Sequence, residues 1–232
     1  MQVTSSAIIA AAGSSRRMEG HDKLWTPLAG RITLARTIDV FEASPIIDDI
    51  VLVLNAERIE DATILCQQEG WRKITGIVAG GIRRQDSVRI GLDTLANATP
   101  TSQWVMIHDG ARPLVTPDIL EAGLKAAQEC RAAIAAVPVQ DTIKQVQQGW
   151  IHSTLDRSLL WAIQTPQVFS FTLIHHAYHT TLIQGEFTDD AALLERLGQR
   201  VFIFPGSYRN IKITTQEDLL IAEALIKGLT AI

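Results

Sequence analysis

Residues able to handle a polyphosphate fall in four places along the chain. The first is Ala10-Ala11-Ala12-Gly13-Ser14-Ser15-Arg16-Arg17-Met18, directly after an apolar run. Small side chains let backbone N–H groups approach an anion closely, and Arg17 and Lys23 add charge beside that nest. Two such cations suit a triphosphate, whose negative charge grows on the departing pyrophosphate during nucleotidyl transfer; two solvated surface cations are the plainer alternative. The loop lacks the Gly-Lys-Ser/Thr ending of a Walker A motif and the G-x-G-x-x-G of a dinucleotide fingerprint. The second place is the polar stretch from Gly80 and Gly81 to Ser87. The third, His108-Asp109-Gly110-Ala111-Arg112-Pro113, carries a lone carboxylate. Such a group is a natural Mg²⁺ ligand when substrate phosphates supply other oxygens, or else a turn aspartate. Arg112 can grip a phosphate bidentately or form a surface ion pair, and nothing marks His108 as a base. The fourth is Asn210-Ile211-Lys212-Ile213-Thr214. Alternation there turns Lys212 away from Ile211 and Ile213, either toward a phosphate or as an edge-strand lysine that discourages aggregation.

These places need a scaffold, and the apolar pattern supplies one. Short apolar runs at 5–11, 50–54, 74–78, 104–107 and 132–137 read as strands. Segments at 33–43, 56–69, 86–95 and 116–131 read as helices, the last opened by Thr116 as N-cap and Pro117 at the first helical position. Strand and helix in alternation predict an α/β fold with a mostly parallel central sheet covered by helices on both faces. Ligands in such sheets bind beyond the carboxyl ends of the strands, where all four polar places fall. Helices at 171–183 and 188–197, strands at 200–204 and 210–214, and a C-terminal helix capped by Thr215 and Asp218 complete the expected order. The stretch 139–169 breaks the rhythm with β-like patterning around Gln147-Gln148-Gly149, and predicts a projecting β-arm at about 139–165. Its Trp150, Leu155, Leu160 and Trp161 call for a cover, most simply a second copy of the chain. His175-His176-x-x-His179 has metal spacing but no carboxylate at useful spacing in sequence, and reads as a polar helix face.

Composition narrows the classes. The 232 residues, 47% apolar and 20% charged, suit one domain spanning 1–232 with a substantial core. A net charge of −4 with scattered basic residues offers no continuous cationic face for nucleic acid, while an anionic small molecule needs only a local cup. No apolar run is long enough to span a membrane. The distant Cys66 and Cys130, with no secretory leader at the N-terminus, read as reduced thiols of a cytoplasmic protein.

In order along the chain, AAGSSRRM, DKLWTPLAG, GGIRRQDSV, HDGARP, PVQDTI, TLDRSLLWAIQTPQVF, FTDDA and NIKIT resemble the 2-C-methyl-D-erythritol 4-phosphate cytidylyltransferase family over nearly the whole chain. The resemblance implies a Rossmann-like nucleotidyltransferase with a protruding β-arm that embraces a partner in a homodimer. It implies transfer of CMP from CTP to 2-C-methyl-D-erythritol 4-phosphate. Ala11, Ala12, Gly13, Gly80, Gly81 and Ser87 would hold CTP. Arg17, Lys23 and Lys212 would stabilise the α-phosphate and pyrophosphate, and Asp109 would hold Mg²⁺ or another divalent metal. Arg112, Thr142, Arg157, Thr165 and Thr188 would bind the second substrate, with Thr142 and Arg157 reaching into the neighbouring subunit's site. A ribitol 5-phosphate enzyme shares the same loops, but TLDRSLLWAIQTPQ is more similar to the methylerythritol family. An idle nucleotide-binding subunit would have little use for Arg17, Lys23, Asp109 and Lys212 together. Ser15 stands where the family has glycine, Leu24-Trp25 where it has Gln-Tyr, and Arg209 where some relatives carry an acid, which leaves Asp109 as the implied protein metal ligand.

Overall fold

A computed structural model describes residues 4–13, 22–98, 102–180 and 185–230. The first strand, β1 (Ser5–Ala11), is apolar or small throughout because both its faces are covered. Neighbours Ile8 and Ile9, both fully buried, enter opposite core layers, as period-two alternation requires. A small hairpin, β2 (Pro27–Leu28) and β3 (Arg31–Ile32), turns through Ala29 and Gly30, both at positive φ. It leads into α1 (Thr33–Ala43). Then follow β4 (Asp49–Leu54), α2 (Ile59–Glu69), β5 (Ile74–Ala79), α3 (Arg84–Ala96), β6 (Trp104–Asp109), α4 (Pro117–Cys130) and β7 (Ala132–Pro138).

Beyond β7 a separate hairpin forms from β8 (Lys144–Gln147) and β9 (Trp150–Thr154), turning at Gln148-Gly149 with φ of 51° and 84°. The chain returns as β10 (Trp161–Ser170) and closes with α5 (Phe171–His179), α6 (Asp190–Arg196), β11 (Phe202–Pro205) and α7 (Gln216–Thr230).

Seven strands form one sheet in the order β11-β7-β10-β6-β1-β4-β5, parallel except for β10, which runs antiparallel to both neighbours. Helices α1, α2 and α4 cover one face with Leu34, Phe41, Ala62 and Leu120. Helices α3, α5 and α6 cover the other with Val88, Leu92, Ile174 and Leu194. From β1 the chain moves out to β4 and β5, then crosses back to β6 on the other side. The carboxyl ends of β1 and β6 therefore border the crevice where ligands bind in such sheets.

Several details differ from the sequence reading. The antiparallel β10 begins at Trp161, so the last residues of the 139–165 stretch read as arm belong to the sheet. Thr116 occupies the N-cap position of α4, but its side chain makes no cap hydrogen bond; its carbonyl accepts from Ile119 and Leu120 instead. Helix α5 stops at His179 rather than 183. Residues 210–214 form no regular element and pair with no strand, being tied by the Ile213 N–H to the Ala111 carbonyl at 2.8 Å. The C-terminal cap is as expected: Asp218 accepts from the Thr215 N–H at 2.9 Å and donates its own N–H to the Thr215 hydroxyl at 3.3 Å. Among the described residues no helix is long and apolar enough to cross a membrane.

Candidate active site

The carboxyl ends of β1, β5 and β6 open onto a cavity of about 680 Å³. Ala11, Ala12 and Gly13 form one wall, Gly81 and Ser87 another, and Lys23, Asp109 and Lys212 supply charge. Parallel pairing sets this up, because Ala10 of β1 is level with Asp109 of β6.

The small residues are required by close approach. A Cβ on Gly80 would lie 2.4 Å from the Ala12 Cβ and 2.6 Å from the Ser87 Oγ. The Ser87 hydroxyl accepts from the Gly81 N–H at 3.1 Å, closing the turn between β5 and α3. Gly80→Ala is therefore expected to push the β1 loop away from the start of α3 and to weaken nucleotide binding by about tenfold or more. The associated stability loss is about 1–3 kcal/mol, typical of overpacking. Calorimetric titration with nucleotide and a thermal melt measure the two parts separately.

Asp109, the last residue of β6, is the electrostatic centre. Its carboxylate lies 2.8 Å from Lys212 Nζ, 3.1 Å from Arg84 Nε and 3.7 Å from Arg112 Nε. Burial pushes that carboxyl up, but the charges of Arg84, Lys212 and Arg112 outweigh burial and hold it well below the usual carboxylate range. It is thus an ionised acceptor at any ordinary pH.

A buried relay fixes its backbone. The Asp109 N–H donates to the Thr165 hydroxyl at 3.0 Å, and that hydroxyl is 3.0 Å from His108 Nδ1. His108 Nε2 is 3.2 Å from the Arg112 carbonyl, which can only accept, so Nε2 carries the proton and Nδ1 accepts from Thr165. Burial pushes His108 down to about 4, which keeps the ring neutral and suits this structural part.

Arg84, at the start of α3, joins Asp109 to a second carboxylate. Its NH1 and NH2 reach Asp190, fully buried at the start of α6, at 2.9 Å each. Tyr178 donates to the same carboxylate at 2.6 Å, and Gln167 Oε1 accepts from the Asp190 N–H at 3.1 Å. The helix N-terminus also favours a carboxylate there. Neither Arg84 nor Asp190 stands out in sequence. The Arg83-Arg84 pair at a strand end is the one signal, and only the fold shows that Arg84 turns inward while Arg83 pairs locally with Asp86 at 2.7 Å.

The remaining expected residues are placed unevenly. Arg17 lies outside the described residues. Arg112 is 9% exposed; its NH1 donates to the Asn210 carbonyl at 2.8 Å and its NH2 to the Ile163 carbonyl at 3.5 Å, while its buried Nε makes no hydrogen bond. Thr165, expected to touch substrate, is buried with its hydroxyl engaged between Asp109 and His108. Thr188 is exposed and is not among the residues that line the cavity. Thr142 and Arg157 are exposed beside the β8–β9 hairpin, Arg157 donating to the Gln140 carbonyl at 2.7 Å.

Comparison with known proteins points the same way. The family model for 2-C-methyl-D-erythritol 4-phosphate cytidylyltransferase (IspD) matches residues 5–228. The chain is 50% identical over 222 residues to the enzyme of that name from Dehalococcoides mccartyi (strain CBDB1), covering 95% of each. It is 49% identical over 226 residues to the one from Syntrophotalea carbinolica, covering 94% of each. Among solved structures it is similar to 4-diphosphocytidyl-2C-methyl-D-erythritol synthase from Anaerococcus prevotii, with a TM-score of 0.85 and 32% identity over 97% of this chain and 96% of that one.

Proposed function

We propose how this chain, which belongs to the 2-C-methyl-D-erythritol 4-phosphate cytidylyltransferase family, uses its residues to carry out the family's reaction. The enzyme transfers CMP from CTP to 2-C-methyl-D-erythritol 4-phosphate in non-mevalonate isoprenoid biosynthesis. An oxygen of the substrate phosphate attacks the α-phosphorus of CTP, the bond to the bridging oxygen breaks, and pyrophosphate departs. The nucleophile is already an anion, so the protein's work is positioning and charge neutralisation rather than proton removal.

The observation that carries the assignment of roles is the convergence of Lys23, Asp109 and Lys212 on one cavity walled by backbone and small side chains. Ala11, Ala12, Gly13, Gly81 and Ser87 hold the nucleotide, with Gly80 keeping the passage narrow. Lys212 and Lys23 neutralise the triphosphate, joined by Arg17. Arg112 and Thr188 serve the methylerythritol phosphate, and Thr165 acts by holding Asp109 in place.

Asp109 suits a hard divalent cation, Mg²⁺ above all. It offers an ionised carboxylate at the cavity, and Mg²⁺ is commonly bound by one or two protein carboxylates together with substrate phosphates. A bound triphosphate gives Lys212, now paired with Asp109, a second anion to serve. The metal, when bound, supplies charge to the phosphate oxygens. Pyrophosphate release from CTP and methylerythritol phosphate is expected to stop in excess chelator and return with added Mg²⁺. Full activity in chelator would remove Asp109 from that role. The same assay with ribitol 5-phosphate in place of methylerythritol phosphate tests the substrate; release with ribitol 5-phosphate alone would overturn it.

The β8–β9 hairpin supports a homodimer. It exposes Val146, Trp150 and Ile151, with Leu159 beyond it; Trp150 is 81% exposed and Leu159 77%. Single exposed apolar residues are ordinary, but a run of them on a projecting hairpin marks an interface. Thr142 and Arg157, set beside it, then serve the neighbouring subunit's site. Sedimentation should give twice the chain mass of 25.5 kDa, and Trp150→Asp should shift it toward one chain. A monomeric wild type would overturn the arrangement. The unpaired thiols of Cys66 and Cys130 are in keeping with a cytoplasmic enzyme.

A further inference from the structure

Helices α3 and α5 lie side by side on one face of the sheet, and three ligand-type side chains meet in the seam. His175 and His179 are one turn apart on α5, with rings stacked at 4.4 Å between centroids. The carboxylate they need, which no neighbouring sequence provides, comes from Asp93 on α3. Its Oδ1 is 3.0 Å from His179 Nε2 and 3.4 Å from His175 Nε2. The three ligand atoms all lie within 4.8 Å of one another.

The tautomer of His179 bears on what fills the gap. Its Nδ1 is 2.9 Å from the His175 carbonyl, which can only accept, so Nδ1 carries a proton and Nε2 is the atom turned to Asp93. At 3.0 Å from a carboxylate oxygen, Nε2 needs a positive centre between the two, either a proton or a metal ion. A hydrogen bond from imidazole to a backbone carbonyl is also the usual way a metal-binding histidine is oriented. His175 is steadied by Phe171, whose ring stacks on it at 5.4 Å.

The two nitrogen–oxygen distances match a metal. Ligand atoms about 2.1 Å from a tetrahedral Zn²⁺ stand roughly 3.4 Å apart, close to the 3.0 Å and 3.4 Å found. A proton can bridge one nitrogen–oxygen pair, whereas a metal can serve all three atoms at once. We propose that Asp93, His175 and His179 form a binding site for a borderline divalent transition metal such as Zn²⁺, clamping α3 to α5. Two imidazoles and one carboxylate select Zn²⁺, Co²⁺ or Ni²⁺ over Mg²⁺, which demands oxygen ligands. The half-exposed seam leaves room for water at the remaining position.

This site is distinct from the catalytic cavity. Asp93 is nine residues along α3 from Arg84, about 14 Å at the helical rise. Its metal takes no part in the reaction and acts by holding two helices together. Tyr178, next to His179, bonds the Asp190 carboxylate that grips Arg84, so the clamp also steadies that support.

The test uses the full chain stripped of metal and titrated with Zn²⁺ in a calorimeter and in thermal melts. We expect one equivalent to bind through these residues and to raise Tm by several degrees at about 100-fold excess over Kd. The His175→Ala/His179→Ala double variant and Asp93→Asn should each lose that binding and the Tm rise, while His176→Ala keeps both. Co²⁺ should add a visible absorption band that the double variant lacks, and Mg²⁺ should leave these readouts unchanged. Absence of Zn²⁺ binding overturns the proposal. Unaltered binding and Tm rise in the double variant, placing the ion elsewhere, overturns it as well.

Discussion

Lys212→Ala is expected to lower kcat by about 10²–10³-fold, the usual consequence of removing one preorganised donor from a developing anion. The ammonium sits 2.8 Å from Asp109 on a segment whose flanking Asn210 and Ile213 are fully buried. The charge is therefore placed by rigid backbone before substrate arrives. A flexible surface lysine would give up conformational entropy to reach the phosphates; this one gives up little. The same geometry predicts a small effect on folding, because the Lys212 side chain is 38% exposed and Asp109 keeps Arg84 at 3.1 Å. A melt within a few degrees of wild type, beside the large fall in kcat, is the signature of a charge that serves the reaction. Lys212→Arg should recover part of the rate, since the charge survives with altered reach. Near-normal turnover in Lys212→Ala would remove this residue from the mechanism.

The sequence makes Lys212 legible but not its surroundings, and the reason is physical. Period-two alternation over residues 210–214 points Lys212 away from the buried Ile213 and the partly buried Ile211 whether or not the segment pairs in a sheet. The side-chain direction is thus right although no strand forms there. Asp109 is legible too, because a polar residue ending a run such as Trp104–Asp109 must emerge at the carboxyl edge of the sheet. The antiparallel course of β10 is hidden. Its WAIQTPQVFS run is half polar, yet Gln164, Thr165 and Gln167 are buried along with Val168 and Phe169, so it shows none of the alternation that marks a half-exposed antiparallel strand. Thr165 shows a related limit: the motif marks it as important but does not reveal the buried hydroxyl that holds the Asp109 N–H.

Long-range pairs are the least legible of all. Arg84 and Asp190 are 106 residues apart in sequence yet meet at 2.9 Å, and each looks like an ordinary surface charge beside its own like-charged or acidic neighbour. Asp93 and His179 meet in the same way across two helices. No local pattern encodes either contact, since both depend on which helices share a face of the sheet.

The Arg84–Asp190 pair yields the second large effect. Asp190→Ala is expected to cost about 3 kcal/mol, near the lower end for breaking a buried ion pair, and to lower Tm by roughly 6–12 °C in a chain of this size. The loss is held to that end because Arg84 keeps Asp109 at 3.1 Å and is not left without a counter-charge. Tyr178 loses its 2.6 Å acceptor in the same variant, and that loss adds to the cost. Arg84→Met should also destabilise, since it leaves the fully buried Asp190 carboxylate with the Tyr178 hydroxyl but no cation. The double variant Arg84→Met/Asp190→Leu removes both charges together, and should be less destabilised than the sum of Arg84→Met and Asp190→Leu. Its turnover should still be low, because Arg84 also tethers Asp109 in the cavity, and an apolar pair restores packing without restoring that tether. Additive losses in the cycle would mean that the two groups act independently. Recovered turnover together with recovered stability would mean that Arg84 only supports the fold. Recovered stability with low turnover assigns Arg84 to the placement of Asp109, which packing alone does not achieve.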